Sequence, residues 1–136
     1  MQMSPVIAVH MTAAILAVVT GPVALWARWT REQHPRLHRA FGYGWVTLML
    51  VTAVSAIFIR DRSLPNIAGY TPIHLLIPVV FGTLFAAFWF LARQNIRGHR
   101  RSMVSLYFTA CIVAGGFTLL PNRYLGHLLW SQLGLA

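Results

Sequence analysis

The stretch PIHLLIPVVFGTLFAAFWFL, residues 72–91, contains no acidic or basic residue other than His74. At 1.5 Å per residue, a helix of this length spans roughly 30 Å, which is the thickness of a hydrocarbon core. Three further apolar runs occupy residues 5–26, 42–59 and 103–120. None shows the alternation of a barrel strand, and backbone groups in lipid must find partners within their own segment. The sequence therefore predicts an all-α integral membrane protein with four transmembrane helices in an up-down bundle.

Composition supports a membrane protein and excludes other classes. Of the 136 residues, 57% are hydrophobic and 10% are charged, whereas roughly a quarter are charged in soluble domains. The single cysteine, Cys111, excludes a disulfide scaffold, and the aromatic and branched content excludes a disordered chain. The net charge of +9 is clustered between the apolar runs. We therefore expect lipid headgroups, and no nucleic acid, as the anionic partner.

Arginine placement predicts the orientation of the chain. The loops after the first and third runs hold eight of the eleven basic residues, namely Arg28, Arg31, Arg36, Arg39, Arg93, Arg97, Arg100 and Arg101. Arg60, Arg62 and Arg123 lie on the other side. The positive-inside rule then places the arginine-rich loops in the cytoplasm and both termini outside. We expect a single membrane domain over residues 1–136, with a retained first span and an interfacial tail over residues 121–136.

The chain has the pattern of an internal repeat. Its landmarks are His10, Arg28, His38-Arg39 and Arg60 in the first half, and His74, Arg93, His99-Arg100 and Arg123 in the second. The offsets are 64, 65, 61, 61 and 63 positions. This spacing predicts two tandem helical hairpins in one orientation, related by a pseudo-twofold axis along the membrane normal. Chance, together with positive-inside bias, is the alternative explanation of the arginines.

Four short segments carry a family resemblance. They are Gly21-Pro22, Leu37-His38-Arg39-Ala40-Phe41-Gly42, His99-Arg100-Arg101-Ser102-Met103 and Leu119-Leu120-Pro121-Asn122-Arg123-Tyr124-Leu125. Through them, from about residue 10 to residue 125, the chain resembles the small bacterial membrane proteins of domain of unknown function 2306. The two His-Arg segments are the most specific part of the resemblance. It implies a four-helix bacterial membrane protein and implies no activity. We expect the protein in the bacterial inner (cytoplasmic) membrane.

Histidines related by the repeat are candidate ligands. A histidine inside lipid is a functional hypothesis by default, and facing helices of a bundle can supply the two imidazoles of a low-spin haem. The outer pair is His10 and His74, and the inner pair is His38 and His99. In an up-down bundle the first and third helices are diagonal, as are the second and fourth, so each pair can face across the core. We predict both pairs as ligands of haem b or another metal.

Arginines beside these pairs are candidate partners of the haem propionates. Arg39 and Arg100 lie near the inner pair, and Arg60 and Arg123 lie near the outer pair. Their guanidinium groups can form charge-assisted hydrogen bonds with carboxylates. The sequence contains no Cys-x-x-Cys-His, so covalent haem attachment is excluded.

Other interpretations of the histidines remain open. The inner pair precedes its apolar runs by about four residues, a position that also suits helix caps or lipid phosphate ligands. His34 is one turn from His38, and the two form a weaker zinc or copper candidate for which Glu32 and His99 are the possible further ligands. His127 and the outer pair form a weaker three-nitrogen metal candidate.

Two functions follow most directly from these features. The first is an electron carrier or membrane oxidoreductase that holds one or two b-type haems and exchanges electrons with quinone or another redox partner. Its architecture resembles that of di-haem b-type membrane cytochromes. The second is a non-catalytic accessory or assembly subunit of a larger membrane complex, because the chain has short loops and much apolar surface. Transport of a small ion is disfavoured, since the spans contain no carboxylate.

Overall fold

Helices make up most of the chain. The computed structural model describes residues 3–62 and 65–135. Over these residues it forms five α-helices: α1 (Pro5–Trp29), α2 (Pro35–Phe58), α3 (Leu76–Ala92), α4 (Ile96–Thr118) and α5 (Tyr124–Gln132). A short 3₁₀ helix, Pro72–Leu75, leads directly into α3. The prediction of an all-helical membrane fold is confirmed for this part of the chain.

The starts of α1, α2 and α4 follow from local residue chemistry. Pro5 and Pro35 occupy the first turns of α1 and α2, where a proline costs no hydrogen bond. The side chain of Asn95 accepts a hydrogen bond from the backbone N–H of Gly98 (2.9 Å) and caps α4. Both even-numbered helices therefore begin about two turns before the apolar runs at residues 42 and 103. Arg36 and Arg39 of α2 and the three arginines of α4 therefore lie on helices. Hydropathy marks where the apolar part of a helix begins and not where the helix itself begins.

The four long helices form a square bundle. The two hairpins, α1 with α2 and α3 with α4, make the most extensive contacts, followed by α2 with α3 and then α1 with α4. This order makes α1 and α3 diagonal, and likewise α2 and α4. The shared core consists of Ala17, Trp45, Met49, Ala53, Val80, Leu84 and Leu106. Gly21 of α1 lets the bundle close, because a Cβ there would overlap the ring of Tyr107 on α4.

Large apolar side chains cover the outside of the bundle. Phe58, Phe85 and Ile112 are each about 70% exposed, as expected where lipid is the solvent. Three helices, Pro5–Trp29, Pro35–Phe58 and Pro72–Ala92, have the length and hydropathy needed to cross a membrane. The first turns of α4 carry three arginines and lower its hydropathy.

The predicted interfacial tail contains α5. Trp130 Nε1 donates a hydrogen bond to the carbonyl of Leu119 (2.9 Å), which holds α5 against the end of α4. Gly126 is buried directly against the carbonyl of Leu120, so a side chain at that position would collide with the backbone.

Candidate functional site

The inner pair occupies equivalent positions on α2 and α4. His38 and His99 each lie four residues after the cap residue of their helix. Nδ1 of His38 is 2.8 Å from the carbonyl oxygen of Ala24 on α1. Nδ1 of His99 is 2.9 Å from the carbonyl oxygen of Ala87 on α3. Each hairpin thus makes the same contact from the start of its second helix to the end of its first.

These contacts determine which ring nitrogen carries the proton. A carbonyl oxygen can only accept, so Nδ1 of each ring is the donor, and in the neutral form of the ring Nε2 keeps its lone pair. Within residues 3–62 and 65–135, Nε2 of neither His38 nor His99 has a hydrogen-bond partner. A backbone carbonyl that fixes one imidazole nitrogen is the usual support of a histidine whose other nitrogen binds a metal. Both rings are therefore chemically competent as neutral nitrogen ligands.

Both rings line a single cavity of about 500 Å³ at the arginine-rich end of the bundle. Cavities that hold small molecules and cofactors have volumes of about 300–1,000 Å³. Gly42 lies one turn beyond His38 in the cavity wall, and a Cβ built there would meet nothing within 4 Å. The ring of Phe88 makes an edge contact with His99, with ring centroids 6.3 Å apart. The cavity therefore combines the two imidazoles with flat and small apolar surfaces.

Aromatic side chains wall the end of the cavity nearer the membrane interior. The hydroxyl of Tyr107 on α4 donates to the carbonyl of Val18 on α1 (3.0 Å). Trp45 is only 4% exposed, and its Nε1 has no hydrogen-bond partner in the described parts of the chain. These two residues close the cavity toward the core.

Three arginines line the same cavity. Arg39 and Arg100, which the sequence placed near the inner pair, are both there, and Arg28 of α1 joins them. Nη1 of Arg28 donates to the side-chain oxygen of Gln33 (3.1 Å). The guanidinium of Arg100 lies over the ring of Trp29, 4.9 Å from its centroid. The sequence identified Arg28 as a landmark of the repeat but did not predict it as a ligand partner. Its counterpart, Arg93, follows α3 and lies outside the cavity.

The outer pair does not share the geometry of the inner pair. Nδ1 of His10 lies 2.9 Å from the carbonyl of Thr52 and 3.0 Å from the hydroxyl of Ser55. Nδ1 of His74 accepts from the backbone N–H of Thr71 (3.1 Å), and its Nε2 donates to the carbonyl of Ile59 (2.8 Å). Both nitrogens of His74 are thus engaged by the main chain. The two halves of the molecule differ at this end.

The two outer arginines have partners other than the outer pair. Arg60 lies over the ring of Tyr70, 5.1 Å from its centroid. Arg123 forms an ion pair with Asp61 (2.6 Å), and the two side chains are only 14% and 10% exposed. The ion pair joins the segment after α2 to the residue before α5, and the Arg60–Tyr70 contact lies within the segment between α2 and the 3₁₀ helix.

A family model matches the part of the chain that contains these residues. The model for predicted membrane protein (DUF2306) matches residues 7–112, a range that includes both histidine pairs and both His-Arg segments. The chain belongs to this family. Residues 119–125, which also carried the resemblance, lie beyond the matched range. No curated protein and no solved structure matches the chain.

The remaining histidines of this DUF2306 protein lie apart from both pairs. His34 stacks on Trp26, with ring centroids 5.4 Å apart. His127 is exposed on α5. Among residues 3–62 and 65–135, no three or more His, Cys, Asp or Glu side chains are grouped as a metal site would require. A haem held by two histidines needs only two such side chains, so it does not require a group of three.

Proposed function

We propose that this DUF2306 protein binds haem b between His38 and His99 and carries electrons in a bacterial cytoplasmic membrane. One observation supports the proposal most strongly. Each imidazole is fixed by a main-chain carbonyl through Nδ1, keeps Nε2 unengaged, and lines the same cavity of about 500 Å³. Two neutral imidazoles are a common axial ligand set of low-spin haem. We restrict the proposal to the inner pair, because His74 has both ring nitrogens in hydrogen bonds.

The residues around the inner pair fit a flat macrocycle. Gly42 leaves open space next to His38, and Ala24 contributes a short side chain to the same wall. Phe88 and Tyr107 add flat apolar surfaces that would cover the macrocycle and exclude water. The carbonyls that hold the imidazoles set the orientation of both rings before any ligand arrives, which lowers the entropic cost of binding.

The ligand set favours electron transfer. When bound, haem supplies a one-electron redox couple. Because His38 and His99 would both hold the haem iron, the site would favour passing electrons over activating a substrate. Arg39 and Arg100 would form charge-assisted hydrogen bonds with the propionates. The electron partner is then quinone or another redox carrier at the membrane.

The proposal includes four membrane crossings. α4 is 23 residues long and packs along α3 as α2 packs along α1. Its arginines are confined to its first turns, and Phe108 and Ile112 farther along are 50% and 69% exposed, consistent with a lipid-facing surface. Four crossings with the arginine-rich loops in the cytoplasm place both ends of the chain outside.

Spectroscopy tests the haem. Protein purified in mild detergent from haem-replete cells should show a Soret band and a reduced-minus-oxidised difference spectrum of b type. A pyridine haemochrome assay should give one haem for each chain. Protein that carries no Soret band under these conditions would end the proposal.

Cysteine labelling tests the crossings. In a Cys111→Ala background, Gln33→Cys, Gln94→Cys and Ser131→Cys place single thiols in the two arginine-rich loops and on α5. A membrane-impermeant thiol reagent applied to spheroplasts should label the Ser131→Cys protein and should reach the other two only after lysis. Protection of Ser131→Cys until lysis would show that α4 does not cross.

A further inference from the structure

We propose that Arg28, together with Arg39 and Arg100, recognises the acidic groups of the ligand in the inner cavity. Trp29 and Gln33 are positioning residues that hold two of these arginines at the cavity. This inference rests on the proposed function for the identity of the ligand as haem, whose acidic groups are its two propionates. It adds the residues that distinguish an acidic ligand from a neutral one of the same shape.

The cavity holds more positive charge than the chain can neutralise there. The sequence has eleven basic and two acidic residues. In the described residues, the ion pair that forms is Arg123 with Asp61, at the other end of the bundle. Glu32, the other acidic residue, is exposed and does not line the cavity. Three positive charges therefore converge on one cavity with no carboxylate in its wall.

The contacts of Arg28 and Arg100 position each guanidinium without neutralising it. Arg28 donates one hydrogen bond to the neutral amide of Gln33 (3.1 Å). Arg100 lies on the face of Trp29 (4.9 Å), a contact that uses none of its N–H donors. A guanidinium has five such donors in a fixed planar arrangement that matches a carboxylate. Both arginines thus keep donors available for a ligand.

The arginines come from three helices and lie at one end of the cavity. Arg28 is on α1, Arg39 on α2 and Arg100 on α4. The other end is closed by the aromatic rings of Trp45 and Tyr107. A ligand that matches both ends is apolar over most of its area and carries carboxylates along one edge. Haem has this distribution of polarity.

The chain offers a matched control for the Trp29–Arg100 pair. Arg93 lies over the ring of Trp89 at 4.8 Å, at the same end of the bundle, and neither residue lines the cavity. Changes at this second pair remove the same kind of contact without touching the cavity. A general effect on helix ends or on membrane insertion would appear at both pairs.

The experiment compares haem with haem dimethyl ester, which has the same macrocycle and no free acid. Protein from haem-deficient cells, in detergent, is titrated with each compound and followed at the Soret band. We expect the wild-type protein to bind haem about tenfold more tightly than the ester, because each partly exposed ion pair contributes about 1.4- to 5-fold in affinity and three arginines act together. Arg28→Gln, Arg100→Gln and Trp29→Leu should each reduce this ratio. Trp29→Phe, which keeps an aromatic face, should largely retain it.

The controls and outcomes separate this inference from the proposed function. Arg93→Gln and Trp89→Leu should leave the haem-to-ester ratio at its wild-type value, and size-exclusion profiles establish that each variant folds. Equal affinity of the wild-type protein for haem and ester would overturn the inference while leaving the haem site intact. Loss of the ratio in the control variants would also overturn it. If neither compound binds, the proposed function fails, and this inference fails with it.

Discussion

A larger side chain in the inner cavity should raise the thermal stability of the protein and lower its affinity for haem. Gly42→Leu places a four-carbon side chain one turn from His38, where a Cβ would meet nothing within 4 Å. Glycine inside a helix is about 0.5–1 kcal/mol less stable than a residue with a Cβ. For a chain of this size, the substitution should therefore raise the melting temperature by about 2–4 °C. Overfilling a site costs about 1–3 kcal/mol, so haem affinity should fall about 5- to 150-fold.

Gly44→Leu is the matched control for this prediction. Gly44 lies on the same helix, is exposed and does not line the cavity, and a Cβ at this position would likewise meet nothing within 4 Å. The assay is the haem-to-protein ratio after purification, with thermal unfolding of the same samples. We expect low haem in Gly42→Leu, wild-type haem in Gly44→Leu, and no loss of stability in either. A Gly42→Leu protein that retains a full complement of haem would refute the assignment of this cavity.

Three further substitutions test the structure around the site. Asp61→Asn should destabilise the fold by about 3 kcal/mol, because it leaves Arg123 without its charged partner in a largely buried position; addition of Arg123→Leu should restore part of the loss in thermal unfolding. Gly126→Ala should detach α5, since the new Cβ would collide with the Leu120 carbonyl, and limited proteolysis should cut its tail faster than that of Gly116→Ala. Asn95→Ala should cost about 1 kcal/mol by removing the cap of α4, and unchanged thermal unfolding would contradict this.

The positions of the apolar helical segments and the order of the helices in the bundle were predictable from the sequence. The run at residues 72–91 matches the helical segment Pro72–Ala92 almost residue for residue, because an apolar run in lipid must be helical. The diagonal placement of α2 and α4 follows from the order of an up-down bundle. The equivalent placement of His38 and His99 was predictable from the repeated His-Arg dipeptide, and both rings make the same contact with the preceding helix. Their role as ligands stays a prediction.

The helix starts and the outer end were not predictable in the same way. Hydropathy does not report the proline and asparagine residues that begin α2 and α4, so the sequence placed the inner pair ahead of its spans rather than on the helices. The turn at Pro72–Leu75 folds His74 back onto the backbone of Thr71. His10 makes no corresponding contact with the residues just before it in the described part of the chain. The repeat spacing predicts that His10 and His74 occupy equivalent positions along the chain, but it does not predict the direction of their side chains.

The position of Arg28 in the cavity wall is visible only in the three-dimensional arrangement. Its repeat counterpart, Arg93, lies over Trp89 outside the cavity, whereas Arg28 lies within it. The two positions have the same residue type and nearly the same spacing from their histidines.

Haem content in four single-histidine variants tests the central proposal most directly. His38→Ala and His99→Ala each remove one unengaged Nε2 from the cavity, and His10→Ala and His74→Ala remove the outer pair. The low-spin b-type spectrum should be lost in the first two variants and retained in the last two, with all four proteins monodisperse. A wild-type spectrum in His38→Ala and His99→Ala would contradict the assignment of the inner pair.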